Sequence, residues 1–398
     1  MSIQKNLVKS DRLSNVKPSA MRKLFEIANE LRAQGKRVLD FGLGDLDIKM
    51  PEQVQEGLFT AVKEGKTSYG SNAGEAPLRE KISEIYNTKY HLETDKDDII
   101  CTCGASESLF DIMLAFVNPG DEVLIHEPSF PYFGYHAALA GGKTVPLNVN
   151  IDNKFKVTAE QIQEVITEKT KAIVLNYPTN PTGAILERSE VKSIVEVCEE
   201  AGILVIADEC YERIYYDNKV HVSPIEFGYD RVVSVNSFSK SFCMTGMRLG
   251  YTVALNKEIL APIAQVHQYA VAHATKPVQY AALAGLNYEK EINKYIMDIL
   301  VERREKLITH WKKIPGMKFD TPEATFYLYP NIADTGMDAN GFCEFALRNG
   351  VVLVPGTTFG VNPENKGLKY HFRLSYGIGA GKMLEDGANI LIDALDKL

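Results

Sequence analysis

Residues Ser237–Gly250 read SFSKSFCMTGMRLG, with one lysine and one arginine eight residues apart among small and hydroxyl side chains. The flanking runs RVVSVNS, which ends at Ser237, and GYTVAL, which starts at Gly250, are rich in β-branched residues and read as strands. Lys240 and Arg248 therefore lie in a loop between strand ends, crowded by Ser237, Ser239 and Ser241. Such a lysine is either a solvated surface group or a member of a site.

Working outward, DEVLIH, KTVPLNV, KAIVLNY and ILVIADE read as further strands. They alternate with the helical patterns YFGYHAALAGG, AEQIQEVITE and RSEVKSIVEVCEEAG. That alternation predicts an α/β fold, a mostly parallel mixed sheet with helices on both faces, in a large domain over residues 45–285. From about residue 290 the texture changes. A long charged helix, NKYIMDILVERREKLITHWKKI, leads into GMKFDTPEATFYLYPNI, GVVLVPG and HFRLSYG. This predicts a smaller α+β domain built from residues 1–44 and 286–398, with an N-terminal helix over Pro18–Gln34.

The chain has 398 residues, 45% hydrophobic and 24% charged, with a net charge of -8. No basic surplus points to nucleic acid. No run of 18 apolar residues suggests a membrane span, and the first 21 residues hold no apolar core of signal-peptide length. The six cysteines show no CxxC pair and no zinc spacing, so no metal is expected and the thiols read as reduced, in a cytoplasmic protein.

The unusual residues fall where ligands sit in such sheets, beyond the carboxyl ends of the strands. A desolvated lysine loses proton affinity and becomes a nucleophilic amine able to form a Schiff base. Arg248 and the serine hydroxyls complement a phosphate. Together they suggest pyridoxal 5'-phosphate (PLP). GASES (Gly104 to Ser108) offers backbone N–H groups to an anion before a helix over Glu107–Phe116, or simply a capping serine. ADECY places Asp208 at a strand end and Tyr211 three residues on. Asp208 is either a cap or the partner of a protonated ring nitrogen. NPTG (Asn180 to Gly183) is either a turn or a rigidly held hydrogen-bond donor. Arg373, between Phe372 and Leu374, pairs with a carboxylate of the protein or of a substrate.

Across nearly the whole chain these segments resemble the class I/II aminotransferases of PLP fold type I. The resemblance rests on nine motifs in the family's order: KTSYGSNAGEAPLRE, GASESL, EPSFPYFGY, NYPTNPTG, ADECYE, SFSKSFCMTGMRLGY, PEATFYLYP, GVVLVPGTTFG and FRLSYG. It implies that Lys240 forms the Schiff base and shuttles the proton, and that Asp208 pairs with the pyridine nitrogen. Tyr211 and Asn180 would bond the phenolic oxygen, and Phe130 would stack on the ring. Ala105, Ser106, Ser237 and Arg248 would hold the phosphate, with Tyr69 reaching the phosphate of a neighbouring subunit in a homodimer with shared sites. Arg373 would grip the substrate carboxylate, and Gly44 would line the mouth. The resemblance also implies cis peptides at Glu127–Pro128 and Asn180–Pro181. Leu46, Ile48, Cys243 and Met247 depart from residues frequent in the family, and these departures bear on the entrance and the substrate side-chain pocket.

The function implied is transamination between an L-amino acid, aspartate or an aromatic donor, and a 2-oxo acid such as 2-oxoglutarate. A lyase on the same scaffold, a cysteine–sulfur β-lyase or an aminocyclopropanecarboxylate synthase, is the alternative. A PLP-sensing regulator would need a DNA-binding domain, for which residues 1–40 are too few. A nicotinamide enzyme is excluded because GLGD is not GxGxxG.

Overall fold

The β-branched runs form strands, and among the described residues the strands form three sheets. The computed structural model describes residues 9–16, 20–361, 364–379 and 381–397. In chain order the strands are β1 (Leu39–Asp40), β2 (Ile99–Thr102), β3 (Glu122–Glu127), β4 (Lys143–Asn148), β5 (Thr170–Asn176) and β6 (Leu204–Asp208). They continue with β7 (Val232–Ser237), β8 (Gly250–Val253), β9 (Tyr327–Leu328), β10 (Val351–Val352), β11 (Val354–Pro355) and β12 (Phe372–Ser375).

The large sheet has seven strands in the order β2-β8-β7-β6-β5-β3-β4. Only β8 runs antiparallel to its two neighbours; the other pairs are parallel. Because both faces are covered, alternate residues of each central strand feed two different cores. Ile99, Leu124, Ile173 and Val205 belong to one apolar cluster, while Ile100, Ile125, Val174 and Ile206 belong to the other. The helix Arg188–Ala201, between β5 and β6, buries Val191, Ile194, Val195 and Cys198, one stripe at helical spacing. It stops at Gly202, whose φ of +67° closes the helix in the left-handed region.

The second region is built from short strands. β1 pairs with β10 in parallel, and β11, β12 and β9 form an antiparallel sheet. The helices Glu289–Trp311 and Gly381–Leu395 pack together, and the Trp311 indole N–H donates to the Leu384 carbonyl at 2.9 Å. No described helix is long and apolar enough to cross a membrane.

Three details differ from the expectations. The helix expected from Glu107 begins at Ala105, because Gly104 at φ +94° turns the chain directly into it. Within Pro18–Gln34 the helix spans Ala20–Ala33, and Pro18 lies outside the described residues. Glu127–Pro128 and Asn180–Pro181 are cis as expected, and Tyr177–Pro178 is cis as well.

Candidate active site

The carboxyl ends of β2, β5, β6 and β7 open onto one cavity of about 520 Å³. β2 leads through Gly104 into the helix Ala105–Phe116, which sets Ala105 and Ser106 in its first turn. β6 ends on Asp208. β7 ends on Ser237, which caps a one-turn helix, Phe238–Ser241, by accepting the Ser239 N–H at 3.0 Å. That turn carries Lys240 into the cavity. Arg248 stands just before β8, and β12 delivers Arg373 from the opposite side.

Of the residues singled out in the sequence, Gly44, Ala105, Ser106, Phe130, Asn180, Asp208, Tyr211, Ser237, Lys240, Arg248 and Arg373 all line this cavity. Tyr69 does not; it is 89% exposed, with its ring edge-on to His273.

Lys240 donates from Nζ to the Gly44 carbonyl at 2.7 Å. Burial pulls its amine down from the ordinary lysine value to about 8, against a weaker upward pull from Asp45. Burial likewise pushes the Asp208 carboxyl up to about 6, although it accepts the Cys210 N–H at 3.2 Å. Arg373 is buried and donates to Asn180 Oδ1 at 2.9 Å and to the Gly42 carbonyl at 2.6 Å. Since a guanidinium only donates, the Asn180 oxygen faces Arg373 and its amide NH₂ is the end left for other acceptors. The Tyr211 hydroxyl lies 2.9 Å from that of Tyr327.

Two glycines bring the anion-seeking groups together. A Cβ on Gly104 would lie 2.7 Å from an Arg248 guanidinium nitrogen, and one on Gly250 would lie 2.6 Å from the Ala105 amide nitrogen. Without side chains there, a guanidinium converges on a helix N-terminus that no side chain caps. This donor set fits a phosphate. In the same cavity wall the buried Asp208 carboxylate, raised by desolvation, fits a cationic ring nitrogen, and the low-pKa Lys240 amine fits an aldehyde. The residues present therefore suit PLP.

The sequence reading missed several members of the wall: Leu43, Tyr132, Asn176, Cys210, Thr245 and Tyr327. Asn176 donates to the Asp208 carbonyl at 3.2 Å and accepts the Asn180 N–H at 3.0 Å, so it braces two of the loops. Its signal was an asparagine ending an apolar strand, and that of Tyr327 a tyrosine in the PEATFYLYP motif. The departures from family pattern turn out to lie elsewhere. Leu46 and Ile48 are buried in the core, and Cys243 and Met247 pack against it; none of the four lines the cavity.

The family model for class I and II aminotransferases matches residues 36–388. A probable aspartate aminotransferase of Methanocaldococcus jannaschii is 37% identical over 372 residues, covering 92% of this chain and 94% of that protein. A probable aspartate/prephenate aminotransferase of Aquifex aeolicus is 36% identical over 399 residues, covering 98% and 99%. The structure of Thermus thermophilus aspartate aminotransferase with maleate matches with a TM-score of 0.92 at 28% identity, covering 98% of this chain and 100% of that one. With nearly its full length matched in sequence and in fold, the chain belongs to the class I and II aminotransferases, the PLP-dependent transferases of fold type I.

Proposed function

We propose that the chain transfers an amino group from an L-amino acid to a 2-oxo acid, with PLP bound in the cavity described above and aspartate as the leading donor. The observation that carries this is the position of Lys240. Its amine is desolvated and faces the same space as a buried carboxylate, Asp208, and a buried guanidinium, Arg373. The aspartate preference follows the three relatives named above, and an aromatic donor is the other candidate class.

Each residue has a task set by its own chemistry. When bound, PLP supplies an electron sink for the charge that develops at the substrate Cα. Asp208 would hold the ring nitrogen protonated, because a carboxylate raised to about 6 by burial gains most from a cationic partner. Tyr211 and the Asn180 amide would donate to the ring oxygen, and Phe130 would lie against the ring. Ala105, Ser106, Ser237 and Arg248 would bind the phosphate. Arg373 would hold the substrate α-carboxylate beside Gly44, placing the Cα proton near Lys240. Lys240 Nζ, neutral in a growing fraction of molecules as pH rises through about 8, would take that proton and return it.

Exposed Phe59, Val62 and Tyr269, with Tyr69, form surface that a two-fold partner would cover. In that homodimer Tyr69 of the partner subunit would reach the phosphate, so each site would be shared.

The test is to load the protein with PLP, reduce with borohydride and map the labelled peptide. Label at Lys240 alone is expected. Single-turnover absorbance changes with aspartate, tyrosine, phenylalanine and alanine then rank the donors. Label at another lysine would overturn the reading. So would release of ammonia or pyruvate that needs no 2-oxo acid acceptor.

A further inference from the structure

Tyr327 has no task in the chemistry above, yet it touches three of the groups that do. Its hydroxyl is 2.9 Å from the Tyr211 hydroxyl. Its ring lies beneath Arg373, whose guanidinium carbon is 4.7 Å from the ring centroid. Its oxygen abuts Gly44: a Cβ built there would stand 2.5 Å away, so only glycine admits the phenol. The Gly44 carbonyl in turn accepts Lys240 Nζ. The backbone locks this placement, since Ser375 of β12 pairs with Tyr327 of β9, two residues from Arg373.

The two phenols are buried, and burial pushes both above the ordinary tyrosine value. Each therefore keeps its proton at neutral pH. Two neutral hydroxyls at 2.9 Å share one hydrogen bond, in which one O–H donates and the other turns elsewhere. Were Tyr211 the donor, its hydrogen would be spent on Tyr327 and it would offer only lone pairs to an anionic ring oxygen. With Tyr327 as donor, the Tyr211 hydrogen is released toward the cavity. Accepting a hydrogen bond also polarises Tyr211 and makes it the stronger donor.

We infer that Tyr327 is a positioning residue: it donates to Tyr211, turns the Tyr211 O–H toward the cofactor's ring oxygen, and ties that orientation to Arg373 through its ring. The inference rests on the PLP reading of the cavity. It gives the small sheet, which carries Arg373, a direct hydrogen-bonded contact with a cofactor-facing group on the large sheet's side. Seating of a substrate carboxylate on Arg373 and the proton balance at the ring oxygen then share one side chain.

The test uses the PLP-loaded enzyme and its visible absorbance. A hydrogen bond donated to the ring oxygen favours the ionised oxygen and lowers the pH at which the chromophore gives up its proton. Tyr327→Phe keeps the ring beneath Arg373 and removes only the hydroxyl. The midpoint of the absorbance titration should rise by about half to one pH unit, the weight of one ordinary hydrogen bond. The single-turnover rate with the best donor should fall several-fold, while the dissociation constant for maleate stays within about twofold. Tyr211→Phe should raise the midpoint further, and adding Tyr327→Phe to it should change nothing more, because Tyr327 acts through Tyr211. An unchanged midpoint in Tyr327→Phe, or full additivity in the double variant, would overturn the inference. A merely structural tyrosine would lower the melting temperature and leave the midpoint alone. If the wild type develops no visible band with PLP, the functional reading itself has failed, which is a separate result.

Discussion

Asp208 and Glu209 are adjacent in sequence and equally hidden, yet they live in opposite electrostatic worlds. At the end of a strand, successive side chains point to opposite faces. Asp208 turns into the cavity, where its hydrogen bonds come from neutral groups, and burial raises it to about 6. Glu209 turns the other way. It meets His221 at 2.8 Å and accepts the hydroxyl of Ser234, which itself lies 2.8 Å from the Tyr86 hydroxyl. Nearby, Glu212 is bound to Lys89 at 2.6 Å, and Arg213 reaches Glu289 at 2.7 Å. Burial alone would raise Glu212 too, but Lys89, Arg213 and His221 outweigh it and hold the carboxyl below its ordinary value. The lesson is that burial does not distinguish structure from function here; pairing does. Behind the sheet the charges are matched within the protein. In front of it, no ion pair among the described residues holds Asp208 or Lys240, and Lys240 donates to the Gly44 carbonyl.

The comparison breaks first at Lys240. Lys240→Ala should lower turnover by at least about 10⁴-fold, since both the proposed nucleophile and the proposed proton carrier are gone. The residues proposed to bind the phosphate do not include this amine, so PLP should still bind, now removable by dialysis. Retained turnover would mean that the cavity charge is idle.

On the matched side the expected effect is on stability. Glu212→Gln leaves Arg213 and Lys89 without their shared carboxylate, and removing one partner of a buried pair costs about 3–5 kcal/mol. Lys89 is partly exposed and Arg213 keeps Glu289, so the lower end is expected. Urea unfolding should show it, while single-turnover rates in the folded variant stay near wild type. A stable but inactive variant would erase the distinction between the two faces.

Asp208→Asn should move stability in the opposite direction. The folded carboxyl titrates near 6, above its ordinary 3.8, so the folded apoenzyme holds the proton more tightly than the unfolded chain. That stabilisation is present below pH 4 and is lost as pH rises through about 6. Above that, the bare carboxylate costs the apoenzyme up to about 3 kcal/mol. The asparagine variant lacks this cost, so its apoenzyme should melt higher at pH 7.5 than the wild type, and equally at pH 4. With PLP added, the order should reverse and turnover should collapse. An apoenzyme destabilised by Asp208→Asn at pH 7.5 would show that an internal cation already balances this carboxylate.

This difference between the faces also explains what could be read from the sequence. The alternation of strand and helix and the loops at strand ends were legible because both follow from local patterns, periodicity and loop composition. Arg373 stood out because charge is rare inside an apolar run, and Lys240 because it follows a strand end among hydroxyl side chains. Tyr327 and Asn176 did not, because their importance lies in partners far along the chain: Tyr327 meets Tyr211, and Asn176 meets Asp208. Gly44 was visible only through the resemblance; its reason, the Tyr327 oxygen against it, is tertiary. Leu46, Ile48, Cys243 and Met247 stood out only as departures from residues frequent in the family. In the structure Leu46 and Ile48 are buried in the core and Cys243 and Met247 pack against it, so any effect on the cavity is exerted through packing.

The comparison is sharpened most finely at the rim of the cavity, where one charge belongs to neither class. Arg248 lies beside the helix N-terminus but is exposed, donating to the Thr245 carbonyl at 2.8 Å. Tyr69, proposed to serve the neighbouring subunit, is exposed as well. If two such surfaces meet across a two-fold axis, a phosphate at Arg248 gains the hydroxyl of the partner subunit's Tyr69. Tyr69→Phe should then weaken PLP binding by about 1.5–3 kcal/mol, one hydrogen bond to a charged group, without changing the melting temperature of the apoenzyme. Hybrids give the decisive reading. Mixing Tyr69→Phe with Lys240→Ala subunits produces dimers in which one site carries both lesions and the other carries neither. At PLP concentrations too low to fill the Tyr69→Phe sites, activity should reappear from two parents that lack it. If activity stays at the parental level although mixed dimers have formed, Tyr69 acts within its own subunit or not at all, and the rim is completed by this chain alone.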